Sequence, residues 1–352
     1  MMDYAQPNKS LYGLPFTANS FNGMPYRPLG PTGLWTACVG LGTWKFGYPE
    51  TGDGSRVNRQ EAMRIFDRSI ELGVTFWDTA NRYNNSSGNS ERLIGEWFKA
   101  NPDQRRNVVI ATKLMGLMDG QTPNHCRLSR ANILDAVHAS LQRMGIDYID
   151  VLYFHRYDEI TPIDESLETV CDLVSRGLVR YLAVSNFTVD QLKLYQAHRR
   201  QLGGRCQVAA VQNQFDILRG ENPTYRGVLD YCAANNLAFV AHQPLANGLL
   251  TDRYLDLSQV GPGDRLFDEG TLDKIATDAA MAKVKKLAAL AAQWDMRLSQ
   301  LTLAYTLSLP GMGPLIPGIS TVAQLEENAA VGTIKLSDEQ KMAIRKALRD
   351  AQ

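Results

Sequence analysis

Residues 75–113 read TFWDTANRYNNSSGNSERLIGEWFKANPDQRRNVVIATK. TFWDTA at 75–80 and NVVIATK at 107–113 are short apolar runs rich in aromatic and β-branched residues, whereas ERLIGEWFKA at 91–100 repeats its apolar residues at spacings of three and four. That is one strand–helix–strand unit. Because its strands are apolar at successive positions, both faces are covered, as in a parallel sheet.

The unit recurs in both directions. Upstream lie ACVGLGT at 37–43 and the helical run RQEAMRIFDRSIELG at 59–73. Downstream, strands are expected at YIDVLYF (148–154), LVRYLAVS (178–185), VAAVQNQ (208–214), LAFVAHQ (237–243) and PLIPG (314–318). Helices are expected at 130–145, 164–177 and about 187–198, 222–235, 279–294 and 321–330. Eight such units in one chain predict an α/β fold, a (β/α)8 TIM barrel. MPYRPLGPTGLW at 24–35, broken by Gly30, Pro31, Thr32 and Gly33, predicts an N-terminal β-hairpin closing the barrel floor. A doubly wound sheet is the alternative, disfavoured because no strand runs into a G-x-G-x-x-G turn. Residues 1–23 are expected to be an N-terminal extension, whose Tyr4, Tyr12 and Phe16 have the barrel floor, a neighbouring subunit or disorder as open alternatives, and 24–352 a single barrel domain.

The chain has 352 residues, 44% of them hydrophobic, and its 37 Lys and Arg balance 37 Asp and Glu. With no basic excess or basic stripe, nucleic acid is not an expected partner. No apolar run approaches the roughly 18–20 residues of a bilayer span, and the opening MMDYAQPNKSLYGLPF lacks a secretory pattern. A cytoplasmic protein with no membrane partner is expected. The cysteines Cys38, Cys126, Cys171, Cys206 and Cys232 form no C-x-x-C pair, so reduced thiols and no metal site are expected. Cys126 follows His125, but neighbours in sequence seldom face each other.

In a barrel the chemistry gathers at the C-terminal ends of the strands. Those ends carry Gly42 and Thr43, Asp78 then Tyr83, Lys113, His155, Ser185 and Asn186, Gln212, His242 to Leu245, and Gly318 to Ser320. Taken singly, each is as well explained by capping or core packing. Together they suit proton transfer to a carbonyl oxygen: Tyr83 donates, Lys113 lowers the phenol's pKa, Asp78 holds Lys113, and His155 positions the carbonyl. No side chain in this set carries a hydride, so a reductase needs a nicotinamide cofactor.

The blocks LGTW (41–44), FWDTANRY (76–83), NSERLIG (89–95), IATK (110–113), LYFHRYD (152–158), VSNF (184–187), PLANGLLTDRY (244–254) and IPGISTVAQLEEN (316–328) follow in this order. From about residue 24 to 335 the sequence resembles the aldo-keto reductase superfamily, and it is most similar to the bacterial branch related to potassium-channel β subunits. The resemblance implies a catalytic tetrad of Asp78, Tyr83, Lys113 and His155, with Tyr83 as general acid. It also implies that Ser185, Asn186 and Gln212 hold the nicotinamide and that the 244–250 loop, with Pro244, Leu245 and Asn247, covers the pyrophosphate. Gly318, Ser320, Gln324, Glu327 and Asn328 would hold the adenosine end; Thr321 and Gln324 also read as a capping box without a ligand.

The sequence departs from that family in having His242 and Gln243 where an aromatic ring and a serine are usual, and Gly318 and Gln324 where cations mark a 2′-phosphate. Arg253 and Arg265 are candidate replacements, with Asp252 as a competing ribose acceptor. NADP(H) is the favoured cofactor and NAD(H) the alternative. Trp44, Phe46, Met115 and Arg156 are expected in the substrate pocket with Tyr83 and His155; for Arg156, a structural ion pair with Asp158 is the preferred reading. Residues 247–271, with GPGDR, read as a gate over the cofactor or a surface segment. The expected reaction joins nicotinamide to a small carbonyl, alcohol or sugar substrate, with a homo-oligomer as an open option. The alternative is a subunit that binds the cofactor and reports its redox state.

Overall fold

The computed structural model describes residues 18–118 and 120–349. Tyr4, Tyr12 and Phe16 therefore lie outside the described residues. Eight parallel strands form the barrel: Leu41–Gly42, Phe76–Asp78, Val109–Leu114, Ile149–Phe154, Val179–Ser185, Val208–Asp216, Ala238–His242 and Met312–Ile316. Each pairs with the next in chain order. The first and eighth meet through parallel bridges at Val39–Leu315 and Gly42–Gly318, which close the ring. The barrel reading holds over the doubly wound sheet.

Alternation along a strand separates core from chemistry. On the second strand, Trp77 packs outward, its ring 4.5 Å from Phe66 and 4.9 Å from Trp97 on the covering helices. Its neighbour Asp78 turns to the opposite side, toward Lys113. On the third strand, buried Thr112 donates to Glu91 on the helix Asn89–Ala100, and Lys113 again points the other way. Outward apolar residues therefore anchor the helices, and inward polar ones converge at the strand ends.

The hairpin Met24–Pro28 with Trp35–Ala37 is antiparallel, and a two-residue strand Ser20–Phe21 extends it. Its turn lies under the barrel: a side chain on Gly30 would collide with the Ala209 carbonyl oxygen and lie 3.0 Å from the Ala238 nitrogen. Those two residues begin the sixth and seventh strands, so the hairpin lies against the floor opposite the chemistry. Two further helices of ten or more residues, Leu298–Leu307 and Asp338–Arg349, lie outside the expected set. Every residue of the first but Gln300 is buried, so it has no amphipathic stripe to read.

Candidate active site

Lys113 is the centre of the strand-end cluster. Its ammonium donates to Asp78 Oδ1 at 2.5 Å, to the Thr79 carbonyl at 2.8 Å and to the Tyr83 hydroxyl at 2.9 Å. Tyr83 donates more weakly to the same Asp78 oxygen at 3.4 Å, and Gln212 Nε2 donates to Asp78 Oδ2 at 2.7 Å. The Tyr83 and His155 rings meet edge to face with centroids 6.3 Å apart. Four residues spread over 78 positions are thus brought together by three adjacent strands.

Burial sets their protonation. Desolvation, followed by the Asp78 carboxylate, pushes the Tyr83 phenol well above its ordinary 10. The sequence reading had Lys113 lowering this pKa; its ammonium does favour the phenolate, but burial and Asp78 outweigh it. Tyr83 is therefore a neutral phenol with a proton to give. Burial also pushes Lys113 down, while Asp78 pulls it back toward the charged form. His155 is held down to about 3 by burial, then by Lys113, Arg156, His242 and Arg82. Burial and Lys113 hold His242 down to about 4. Both imidazoles are neutral near pH 7.

The cluster opens into a cavity of about 610 Å³ lined by Asp78, Tyr83, His155, Ser185, Asn186, Gln212 and His242. A second cavity of about 230 Å³ adjoins it and shares the walls Gly42, Trp44, Gln243, Arg265 and Gly318. The narrower space is lined by Leu245, Asn247, Arg253, Ser320, Gln324, Glu327 and Asn328. Together they form one groove with acid–base groups at one end and the cations Lys45, Arg56, Arg253 and Arg265 at the other.

Several expected residues face elsewhere. Phe46 is fully buried in the core with its ring 5.5 Å from Phe66, so it forms no pocket wall. Thr43 is buried too. Its hydroxyl donates to the Asp78 carbonyl at 3.0 Å and shares a 2.7 Å bond with Ser90, so it braces the strand end from outside the groove. Pro244 is buried and lines neither cavity.

The Arg156–Asp158 ion pair does not form. Asp158 accepts instead from the backbone N–H groups of Leu128, Ile160 and Thr161, and Arg156 faces the larger cavity. Asp252 is taken by Arg297 at 3.0 Å and by the Leu298 N–H at 3.2 Å, away from both cavities. Arg253 is clamped by Asp264 through bonds of 2.7 and 2.6 Å. Thr321 accepts from the Gln324 N–H at 3.2 Å, but Gln324 Oε1 accepts from the Ser320 N–H at 2.8 Å, so only half of the capping box forms. Lys45, Arg56, Arg82 and Arg127 line the groove unforeseen. Arg82, adjoining Tyr83 in FWDTANRY, was the one that its position could have marked.

Residues 38–349 match the model of the aldo/keto reductase family. Aldo-keto reductase str7 of Strobilurus tenacellus is 30% identical, covering 94% of this chain and 89% of that protein. The L-glyceraldehyde 3-phosphate reductase of Escherichia coli K12 is 29% identical over 94% of both chains. A probable voltage-gated potassium channel subunit beta from rice, Oryza sativa subsp. japonica, is 29% identical over 87% of this chain and 90% of its own. On this match over most of its length, and with eight parallel strands closing a barrel, the chain belongs to the aldo/keto reductase family, which supports an oxidoreductase acting on carbonyl substrates.

Proposed function

We propose that the protein is an NAD(P)(H)-dependent reductase of small aldehydes, ketones or sugars, with Tyr83 as the acid that protonates the carbonyl oxygen. The observation that carries this reading is the buried Lys113 ammonium held between Asp78 and the Tyr83 hydroxyl, at 2.5 and 2.9 Å, behind the wall that Asp78, Tyr83 and His155 form in the larger cavity. Lys113 stabilises the phenolate left after proton transfer, Asp78 and Gln212 keep Lys113 oriented, and neutral His155 offers an N–H to the substrate oxygen.

The groove suits a dinucleotide. Four cations surround its narrow end, space lies open where a Gly318 side chain would project, and buried Asn247 Oδ1 has no partner among the described residues. Ser185, Asn186 and Gln212 would hold the nicotinamide, His242 would lie against its ring, and Ser320, Gln324, Glu327 and Asn328 would hold the adenosine end. When bound, the nicotinamide supplies the hydride. NADP(H) is favoured because Arg253 and Arg265 line the narrow cavity, whereas Asp252, the competing ribose acceptor, lines neither cavity.

Fluorescence titration with NADPH and NADH in parallel tests the cofactor without a known substrate. Tight NADPH binding is expected, and no binding of either nucleotide would overturn the reading. Tyr83→Phe is then expected to lower aldehyde-dependent NADPH oxidation by about 10²–10⁴-fold while leaving the titration unchanged. Retained turnover would remove Tyr83 as the acid. Tight nucleotide binding with no turnover of any carbonyl would instead favour a redox-reporting subunit.

A further inference from the structure

The wall of the larger cavity holds more positive charge than proton transfer requires. Arg82, Arg127 and Arg156 all line it. Among the described residues the only carboxylate on that wall is Asp78, already engaged by Lys113 and Gln212. No described carboxylate forms an ion pair with any of the three. The one side-chain bond among them is Arg82 Nε to the Ser86 hydroxyl, at 3.3 Å. The other arginines of the groove are matched: Arg56 with Asp268, Arg253 with Asp264 and Arg265 with Glu269. All three residues are exposed, and with no carboxylate partner they leave the cavity wall positive, a charge that an anionic ligand would meet.

The backbone is built to present them. A side chain on Gly116 would coincide with the Arg82 guanidinium, so the glycine makes the seat in which that group rests. Arg127 has φ +73°, a left-handed conformation unfavourable for a side chain of its type. It is fixed there because its N–H donates to the Met115 carbonyl at 2.5 Å and its carbonyl accepts from Asn132 Nδ2 at 2.7 Å. Arg156 follows His155 directly, and both Arg156 and Arg82 lie near enough to the imidazole to disfavour its protonation. The positive charge therefore stands beside the group that faces the carbonyl. It is separate from Lys45, Arg56 and Arg253, which line only the narrow cavity.

We propose that the substrate is a carbonyl compound carrying an anionic group, a phosphate monoester or a carboxylate, which Arg82, Arg127 and Arg156 bind while Tyr83 protonates the carbonyl oxygen. This rests on the reductase reading and narrows its substrate class. Guanidinium groups suit both anions because each offers paired N–H donors to two oxygens.

The test compares matched substrates with the full-length protein and saturating NADPH: glyceraldehyde 3-phosphate against glyceraldehyde, and 4-carboxybenzaldehyde against benzaldehyde. The ratio of kcat/KM, charged over neutral, is expected to exceed about tenfold for at least one pair and to shrink as salt is raised from 20 to 500 mM, because a partly exposed charge contact is screened. The pair showing the larger ratio identifies the anion. Arg156→Gln and Arg127→Gln are each expected to lower that ratio about tenfold, chiefly through KM of the charged member. Using a ratio within one variant cancels any loss of folded protein. Ratios near one for both pairs, or a ratio unmoved by either substitution, would overturn the proposal while leaving the reductase reading intact. No turnover of any of the four would remove the reductase reading, and the proposal with it.

Discussion

At the scale of single residues, the site works by placing titratable groups where burial, more than their neighbours, selects their protonation state. His155 and His242 are the clearest case, held down to about 3 and about 4 from an ordinary 6.5. Below pH 6.5 the unfolded chain takes up protons that the folded site refuses, so the unfolded state gains. Stability is expected to be complete above pH 6.5 and to fall as pH drops toward 4 and 3, by up to about 1.4 kcal/mol per pH unit for each imidazole. Urea midpoints between pH 7.5 and 5 check this. His242→Asn should flatten the slope relative to the parent protein, and an equal slope would mean that His242 is protonated in the fold. The same logic shows why the clustering of Asp78, Tyr83, Lys113 and His155 was legible and its energetics were not. Asp78 ends its strand and Lys113 is the last residue but one of its own, where position alone marks them. The direction of the Tyr83 shift depends on burial, which no spacing records.

Among elements, the strands were legible because burial on both faces leaves a nearly continuous apolar run, as in IDVLYF at Ile149–Phe154, where every residue is buried and only Asp150 is polar. Leu298–Leu307 is buried almost all round, with Ser299, Thr302 and Thr306 inside it, and Asp338–Arg349 falls after the last repeat, so neither fits the alternation. Loops were the other gap: side chains stop alternating after Gly42, which is how Phe46 turned into the core while Trp44 stayed in the groove. The hairpin was legible from its turn residues, and the structure adds what the turn touches. Gly30 has φ +56° and lies against the Ala209 carbonyl. Gly30→Val is expected to cost roughly 2–5 kcal/mol, combining left-handed strain with overpacking. Gly33→Ala, where a side chain meets only open space, is expected to cost less than about 0.5 kcal/mol. Urea unfolding of the two variants separates them, and equal stabilities would show that the hairpin does not bear on the barrel floor.

For the molecule as a whole, the balanced charge hid a separation that only the fold creates. Lys45, Arg56, Arg82, Arg127, Arg156, Arg253 and Arg265 gather on one groove, although 37 basic residues cancel 37 acidic ones over the chain. The segment from Asn247 to Thr271 lies across the narrow end of that groove and is fastened to the loop after the first strand. Asp268 pairs with Arg56, Glu269 lies 3.8 Å from Lys45, and the Arg265 guanidinium sits 4.9 Å from the Trp44 ring centre. Within the segment, Asp264 clamps Arg253. These ties join partly exposed groups, each worth at most about 1 kcal/mol, so they are weak enough to open without unfolding the barrel. On the proposed reading, a nucleotide bound beneath them would leave only when they break. Asp268→Asn removes one tie without touching the acid–base cluster, and it is expected to speed NADPH release about two- to fivefold in stopped-flow fluorescence with the melting temperature unchanged. If release limits turnover, kcat rises in the same proportion. An unaltered release rate would mean that the nucleotide leaves without this segment moving, and that the segment is a fixed wall of the groove.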